Sequence, residues 1–463
     1  MIQSYLKVDV ELLKKYDRPG PRYTSYPTAP YFHTGVGPEV FEQHIKNDDQ
    51  NLPNKDISLY FHLPFCDTLC YFCGCNMMVT RNRDKIETYI DYLEKEMALL
   101  KSRLSADRKV IQLHWGGGTP THLSPDQIRR LGTLIHKFFN FRDNAEVSVE
   151  IDPRELTREH MVALHEVGFN RCSMGVQDFD PKVQETINRI QPEDLTRKTV
   201  GWARELGFGS LNLDLMYGLP HQSLATYEKT IDTILDIEPD RLAVFNYAHL
   251  PHMIKHQKLI NEVDLPGPDV KLQLLKLSIE KLTSNGFVYI GMDHFARPLD
   301  ELTIAMNKGT LYRNFQGYST HAGINLLAIG ITSISMLSGL YVQNYKTLNE
   351  YYETLDKGVL PAMRGVELND DDQVRREVIT ELMCNFHLRK EKIEKKYDIE
   401  FDSYFSESLK LLDIFVGDNL VELTADEIIV TSAGRLLVRN IAMNFDAYLM
   451  RKEENKPQFS RTV

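Results

Sequence analysis

The sequence predicts an α/β fold: an incomplete (β/α)6 barrel carrying an N-terminal arm and a mostly helical C-terminal domain. Three observations lead there. Six short runs rich in β-formers recur between residues 58 and 247. Helical patterns, with apolar residues three and four apart, separate them. Residues able to bind a ligand follow each run, on what would be one rim of the sheet.

In chain order the runs are SLYFHL (58–63), VIQLHW (110–115), EVSVEI (146–151), RCSMGV (171–176), LNLDLMYG (211–218) and RLAVFNY (241–247). Between them, KIETYIDYLEKEMALLKSRL and SPDQIRRLGTLIHKFF have helical spacing, the second with Ser124 as N-cap. Such alternation implies a parallel sheet with right-handed crossovers, and both an open sheet and a barrel satisfy it. The rim argues for closure or near closure. The cysteine loop, GGGTP, Glu150, Gln177, Asp214 and Ala248 all lie at C-terminal strand ends. Six units close incompletely and leave an open side for a large substrate. The barrel is placed at 54–300, the arm at 1–53, a flanking segment at 301–364 and the C-terminal domain at 365–463. PGPRYTSYPTAPYF in the arm is too rich in proline for a regular element. VELTADEIIVTSAGRLLVRNIAMNF reads as a hairpin followed by a helix, like a small winged-helix module.

A chain of 463 residues, 42% hydrophobic, has ample core, and its net charge of −11 argues against nucleic acid as partner. That balance favours a structural or lid role for the winged-helix-like part. The N-terminus MIQSYLKVDVELLKKYDRPG has no continuous apolar run, so no secretory signal is expected. Four of the six cysteines cluster and two stand alone, which makes no disulfide framework, and a cytoplasmic location is expected. The segment 314–345 carries no charged side chain and is long enough to span a bilayer. Its Asn325, Thr332, Ser333, Ser335, Ser338 and glycines fit buried strands and turns instead, so no membrane insertion is expected.

YFHLPFCDTLCYFCGCN (60–76) places Cys66, Cys70, Cys73 and Cys75 on one loop. Structural zinc takes paired knuckles from separate segments. An ordinary electron-transfer cluster wants a distant fourth thiolate. An iron–sulfur cube held at three corners by Cys66, Cys70 and Cys73 fits the spacing, leaving one iron open to a chelating small molecule. Tyr71 and Phe72 would cover it from water. Gly116–Gly117–Gly118 lacks dinucleotide spacing, yet a glycine run after a strand lets a ligand approach the backbone.

The C-x3-C-x2-C spacing resembles the radical S-adenosylmethionine motif. PGPRYTSYPTA, LYFHLPFCDTLCYFCGCN, HWGGGTPT, EIDPREL, MGVQDF, YGLP, VFNYAHLP, GMDHFARP and NFQGY occur in the order seen in the oxygen-independent coproporphyrinogen III oxidase family. The resemblance runs from residue 16 to the C-terminal QFSR. Haem-chaperone relatives share the three-cysteine core but typically lack the Cys-x-Cys step and the long arm, so Cys75 and Arg22–Pro27 discriminate.

The resemblance implies a radical-SAM barrel with one 4Fe-4S cluster on Cys66, Cys70 and Cys73, and two molecules of S-adenosyl-L-methionine. Tyr60, Gly117, Glu150 and Ile334 match contacts to the first. Phe72, Gly118, Thr119, Gln177, Arg189, Asp214 and the backbone at Ala248 match contacts to the second. Cys75 matches a cysteine that is not a cluster ligand, and a place near the substrate is expected for it. The implied reaction is reductive cleavage of S-adenosylmethionine to a 5′-deoxyadenosyl radical. That radical takes a β-hydrogen from a propionate. Loss of carbon dioxide and one electron leaves a vinyl group, twice over, converting coproporphyrinogen III to protoporphyrinogen IX. An electron donor such as flavodoxin or ferredoxin, a monomeric state and an arm folded over the active site are expected with it.

Arg22, Arg297 and Arg313 lie in the matching motifs and are candidate clamps for substrate carboxylates. Ser319 and Asn325 stand where relatives more often have threonine and aspartate. Two other readings remain open on sequence: a haem-trafficking protein on the same scaffold, and a structural-zinc winged-helix regulator.

Overall fold

The computed structural model describes residues 5–52, 56–451 and 459–462. The 53/54 boundary and Gln458 of the QFSR end lie outside the described residues. Six strands fall where the apolar runs predict them: β1 (Asp56–Leu63), β2 (Lys109–Gly117), β3 (Asn140–Ile151), β4 (Arg171–Gln177), β5 (Ser210–Tyr217) and β6 (Arg241–Asn246). All five junctions between them are parallel and sequential. The predicted helices form at Arg83–Lys101 and Pro125–Phe138, and Ser124 caps the second in a reciprocal box with Gln127.

The sheet continues past both ends of this array. After β6 come β7 (Val288–Gly291) and β8 (His294–Ala296), which pair with each other antiparallel, and it is β8 that pairs antiparallel with β6. On the other side, the uncharged stretch supplies β9 (Asn325–Ile329), β10 (Ile334–Met336) and β11 (Leu340–Asn344), followed by β12 (Ala362–Glu367). The strand order is β12-β11-β10-β9-β1-β2-β3-β4-β5-β6-β8-β7. β9 pairs with β1 in parallel, so it adds a seventh parallel strand to the expected six. The curved sheet does not close. β12 also runs through the boundary expected at 364/365: the sheet ends at Glu367, because Tyr341–Val342 of β11 pair with Gly365–Val366.

One continuous apolar core joins the barrel, the arm and the C-terminal domain, from Leu6 through Trp115 and Leu382 to Tyr448. The C-terminal domain is helical with a three-stranded sheet, in which Val421–Leu423 and Glu427–Val430 form the expected hairpin. The proline-rich part of the arm is irregular, as predicted, and is fixed by side chains. Arg439 donates to the carbonyls of Gly20 (2.5 Å) and Pro21 (3.2 Å), and Tyr23 donates to Asp446 (2.9 Å). The segment Phe459–Thr462 zips onto the arm through Gly20 N–H to Ser460 O and Thr462 N–H to Arg18 O. Among the described residues no helix is long and apolar enough to cross a membrane.

Glu96 ties the flanking strands to the barrel. Its buried carboxylate accepts from Gly330 N–H (2.8 Å), the Asn344 amide (2.7 Å) and the Tyr351 hydroxyl. Removing it strips the Gly330 N–H and the Tyr351 hydroxyl of this acceptor and leaves Asn344 with only Gly330 O and Ser333 Oγ, so Glu96→Ala costs about 3 kcal/mol in chemical denaturation. Burial nonetheless pushes the carboxyl up from 4.5 to about 7. A folded-state pKa above the unfolded one means the stabilisation is present below about 4.5 and lost as pH rises to about 7. The unfolding temperature of the wild type therefore falls more steeply across that window than that of Glu96→Gln, as a melting series in matched buffers checks.

Candidate active site

Strand alternation decides what faces the barrel interior. Along β3 Val147, Val149 and Ile151 are buried outward under helices, and Glu146, Ser148 and Glu150 point the other way. Arg171 and Ser173 of β4, Asn212 and Asp214 of β5, and Gln112 and His114 of β2 join them around a cavity of about 190 Å³. Register brings Tyr60 beside His114, and their rings stack at 5.9 Å. His114 in turn meets Ser148 at 2.6 Å and Glu150 at 3.4 Å. Glu150 also accepts from Gly117 N–H at 3.3 Å. His62 donates from Nε2 to Asn76 O (2.9 Å), which leaves Nδ1 to accept from the Tyr60 hydroxyl (3.2 Å). Burial lowers its pKa, so this tautomer stays neutral.

The cysteine loop sits on the rim above. It is seated on the glycine turn by Gly118 N–H to Leu63 O (2.9 Å) and Thr119 N–H to Phe65 O (2.8 Å). A Cβ at 118 would lie 2.7 Å from the Pro64 carbonyl carbon, and Gly117 has φ +117°, so both positions demand glycine. Each of the three candidate ligand sulfurs meets a polar partner. Cys66 Sγ lies 3.3 Å from the Thr119 hydroxyl. Cys70 Sγ accepts from Arg154 (3.3 Å) and faces Arg189 at 3.7 Å. Cys73 Sγ accepts from Cys75 N–H at 3.4 Å. Hydrogen bonds and positive charge at sulfur are what an iron–sulfur cluster's thiolates require, so this donor set fits one. Among the described residues no three His, Cys, Asp or Glu side chains are grouped to hold a single metal ion. A cube spreads its thiolates over separate irons, whereas zinc draws four ligands onto one atom.

Both guanidiniums are themselves organised by Asp152, at 2.6 Å from Arg154 and 3.0 Å from Arg189. Burial alone would raise the Asp152 carboxyl, but the two arginines hold it well below the usual carboxylate range. Asp214 goes the other way: burial, then the charge of Glu150, push it up to about 7, against hydrogen bonds from Asn212 and Ser173.

The structure thus gathers the residues named from sequence into two groups. Tyr60, Gly117, Glu150 and Asp214 surround the cavity side, and Cys75 keeps solvent access close to Glu150 and Cys66. Thr119 and Arg189 stand with the thiols, and Gln177, in a left-handed conformation (φ +67°), lies beside Gly175 and Arg189. Ile334 packs with Tyr60 in one apolar cluster. Phe72 and Ala248 meet through Gln257, whose amide donates to both carbonyls (3.1 and 3.3 Å). Arg297 is a correction. The β7–β8 hairpin turns it outward onto the Phe287 ring at 4.0 Å, with its donors on Pro239 and Asn285 carbonyls, so it is a structural residue and no carboxylate clamp. Ser319 receives the Gln112 amide (3.4 Å) and His321 N–H (3.1 Å), and Asn325 is buried without a charge to satisfy. Sequence reasoning missed Arg154 as a partner of Cys70, and Asp152 as the carboxylate that positions it. The signal was EIDPREL, whose opposite charges two residues apart follow directly on β3.

Residues 60–234 match the family model described as Radical SAM superfamily, and residues 368–437 the one described as HemN C-terminal domain. The oxygen-independent coproporphyrinogen III oxidase of Escherichia coli is 48% identical over 455 residues, 98% of each chain. That of Pseudomonas aeruginosa is 46% identical over 460 residues, 99% of each. A solved structure described as "Coproporphyrinogen III oxidase (HemN) from Escherichia coli is a Radical SAM enzyme" superposes with a TM-score of 0.91 at 46% identity, covering 96% of this chain and all of the other. With near-complete coverage on both sides, and a cysteine loop built on the same scaffold, this chain belongs to the oxygen-independent coproporphyrinogen III oxidase family of radical SAM enzymes.

Proposed function

We infer that the chain converts coproporphyrinogen III to protoporphyrinogen IX without oxygen, decarboxylating two propionates oxidatively to vinyl groups. The observation that carries this reading is the loop of three thiols, each with a polar partner at sulfur, on the rim of a hollow polar barrel in a chain whose full-length relatives bear that enzyme's name. Cys66, Cys70 and Cys73 would hold one 4Fe-4S cluster. Bound there with S-adenosylmethionine, it would supply the electron that splits the sulfonium into methionine and the carbon radical able to take the propionate β-hydrogen.

The chain's own residues do the rest. Arg154 and Arg189 stabilise the Cys70 thiolate. Glu150, aimed by Gly117 N–H and His114, presents its carboxylate to ribose hydroxyls of a first S-adenosylmethionine, with Tyr60 and Ile334 packed beside it. A second S-adenosylmethionine is placed by Phe72, Gly118, Thr119, Gln177, Arg189, Asp214 and the backbone of Ala248. Tyr71 and Phe72, half-buried against Val183 and Ile187, exclude water from the loop. Cys75, exposed on the same loop, faces the substrate side. A cytoplasmic monomer reduced by a flavodoxin or ferredoxin completes the proposal. The haem-trafficking alternative draws no support from the full-length relatives.

The deciding experiment is an anaerobic assay of cluster-reconstituted protein with S-adenosylmethionine and a reductant. Protoporphyrinogen IX is the expected product, and tight haem binding without turnover would overturn the reading. Iron analysis tests the ligand set: Cys70→Ser loses most of its iron and Cys75→Ser keeps it, whereas equal loss in both would make Cys75 a ligand. Arg154→Met removes a cation 3.3 Å from a cluster sulfur. The cluster then becomes harder to reduce, and an electron-paramagnetic-resonance redox titration reads its midpoint below the wild type's.

A further inference from the structure

Outside the lumen, a cavity of about 630 Å³ lies between the arm, the Phe459–Thr462 segment and the C-terminal ends of β5 and β6. That volume suits a ligand of several hundred daltons. Its walls are mostly apolar, with Tyr217, Tyr247, Leu250, Leu272, Leu275 and Phe459 prominent. Ala248 is part of the wall, and the Gln257 amide donates to the carbonyls of both Ala248 and Phe72, so the wall is tied to the cysteine loop.

Its charges do not balance. Four cations, Arg22, Lys271, Arg439 and Arg461, face two carboxylates, Asp17 and Asp293. Asp17 is taken by Arg461 and Asp293 by Arg22. Among the described residues Lys271 has only the Tyr247 carbonyl, at 3.3 Å. Arg439, 5% exposed, is bonded to main-chain carbonyls of Gly20, Pro21, Arg461 and Thr462, which carry no net charge. No carboxylate lies within ion-pair distance of either among the described residues. Behind them Arg313 is 6% exposed and stacked on Tyr318, and its Nε and Nη1 have no hydrogen-bond partner among the described residues. Burial and mutual repulsion lower Arg22 to about 9 and Arg439 to about 10, each feeling the charge of Arg313. Uncompensated buried cations cost several kcal/mol each, and a polyanion held among them recovers that cost.

We propose that this cavity holds the tetrapyrrole substrate: apolar walls against the macrocycle, and Lys271, Arg439 and Arg22 as the partners of its carboxylates. The assignment rests on the function proposed above and adds the site where that substrate is held.

Fluorescence titration of the cluster-reconstituted enzyme tests it, with coproporphyrin III, the stable oxidised tetracarboxylate, and its tetramethyl ester as probes. The acid binds tightly, and its affinity falls as salt is raised. Lys271→Met and Arg22→Gln each weaken it about tenfold, the worth of one charge-assisted hydrogen bond, and leave ester binding unchanged. Leu275→Trp fills the cavity with every charge in place and weakens both probes. This second variant keeps the test open should a charge variant fail to fold. If the wild type turns over and binds coproporphyrin III but these variants bind it equally well, the cavity assignment is overturned and the function stands. If the wild type neither binds nor converts, the function itself fails and the cavity assignment with it.

Discussion

The parallel register of β1 to β6 is the constraint on which the site depends. A strand sends alternate side chains to opposite faces, and a slip of one residue exchanges the faces entirely. Here Leu211, Leu213 and Leu215 of β5, like Cys172, Met174 and Val176 of β4, are buried under helices. That commits Asn212, Asp214 and Ser173 to the interior. An ordinary closed barrel fills its interior with branched apolar side chains. This one faces inward with hydroxyls, amides and ions that satisfy each other, such as Ser58 with Gln112 (2.9 Å) and Asn212 with Asp214 (2.7 Å). The apolar packing energy resides on the outer face, and the interior is left free for chemistry.

The same register positions the cysteine loop, because each side of the loop leans on a different strand end. His62 of β1 holds Asn76, the turn after β2 holds Leu63 and Phe65, and Asn188 beyond β4 holds Leu69 O at 2.7 Å. Beyond β6, His256 and Gln257 hold the carbonyls of Cys73 and Phe72. A loop tethered on four sides has its main-chain carbonyls held by imidazole and amide side chains and by the glycine-turn amides, which keeps its sulfurs in place. Preorganisation of that kind is what lets binding energy go into orienting reactants rather than ordering the protein.

Period-two runs and three-and-four spacing sufficed to locate the six barrel strands and the Ser124 cap, because those signals are local. The loop chemistry was equally legible, since Cys66, Cys70 and Cys73 are neighbours in the chain. What escaped depends on contacts between distant segments. β9 reads as an apolar strand, but its parallel seat beside β1 comes from a partner 268 residues away, as Ile57 opposite Asn325 shows. Arg154 has its partner in Cys70, 84 positions earlier, which only the fold brings within reach. Arg297 misled in the opposite sense: it lies in the matching motif GMDHFARP, yet it directly follows β8 and its guanidinium is held on Phe287 and on the Pro239 and Asn285 carbonyls. At 364/365 the hydrogen-bond ladder of β12 to β11 runs on to Glu367, a long-range pairing that composition does not display.

The cationic cavity shows how the ends of the chain can be part of a site that no local motif announces. Arg439 lies in the C-terminal domain, Arg22 in the arm and Arg313 in the flanking segment, and each is costly where it stands. The hydrogen bonds that fix the arm and the Phe459–Thr462 segment converge on Arg439, so the residue that closes the cavity also contributes its unbalanced charge. Closure and electrostatic frustration are therefore one feature. An anion bound inside relieves the repulsion among the three arginines and, by linkage, stabilises the closed arrangement of both chain ends. An empty cavity of this charge is the less stable state of the same fold. That asymmetry ties substrate occupancy to a closed, water-poor site in a way that apolar walls alone could not.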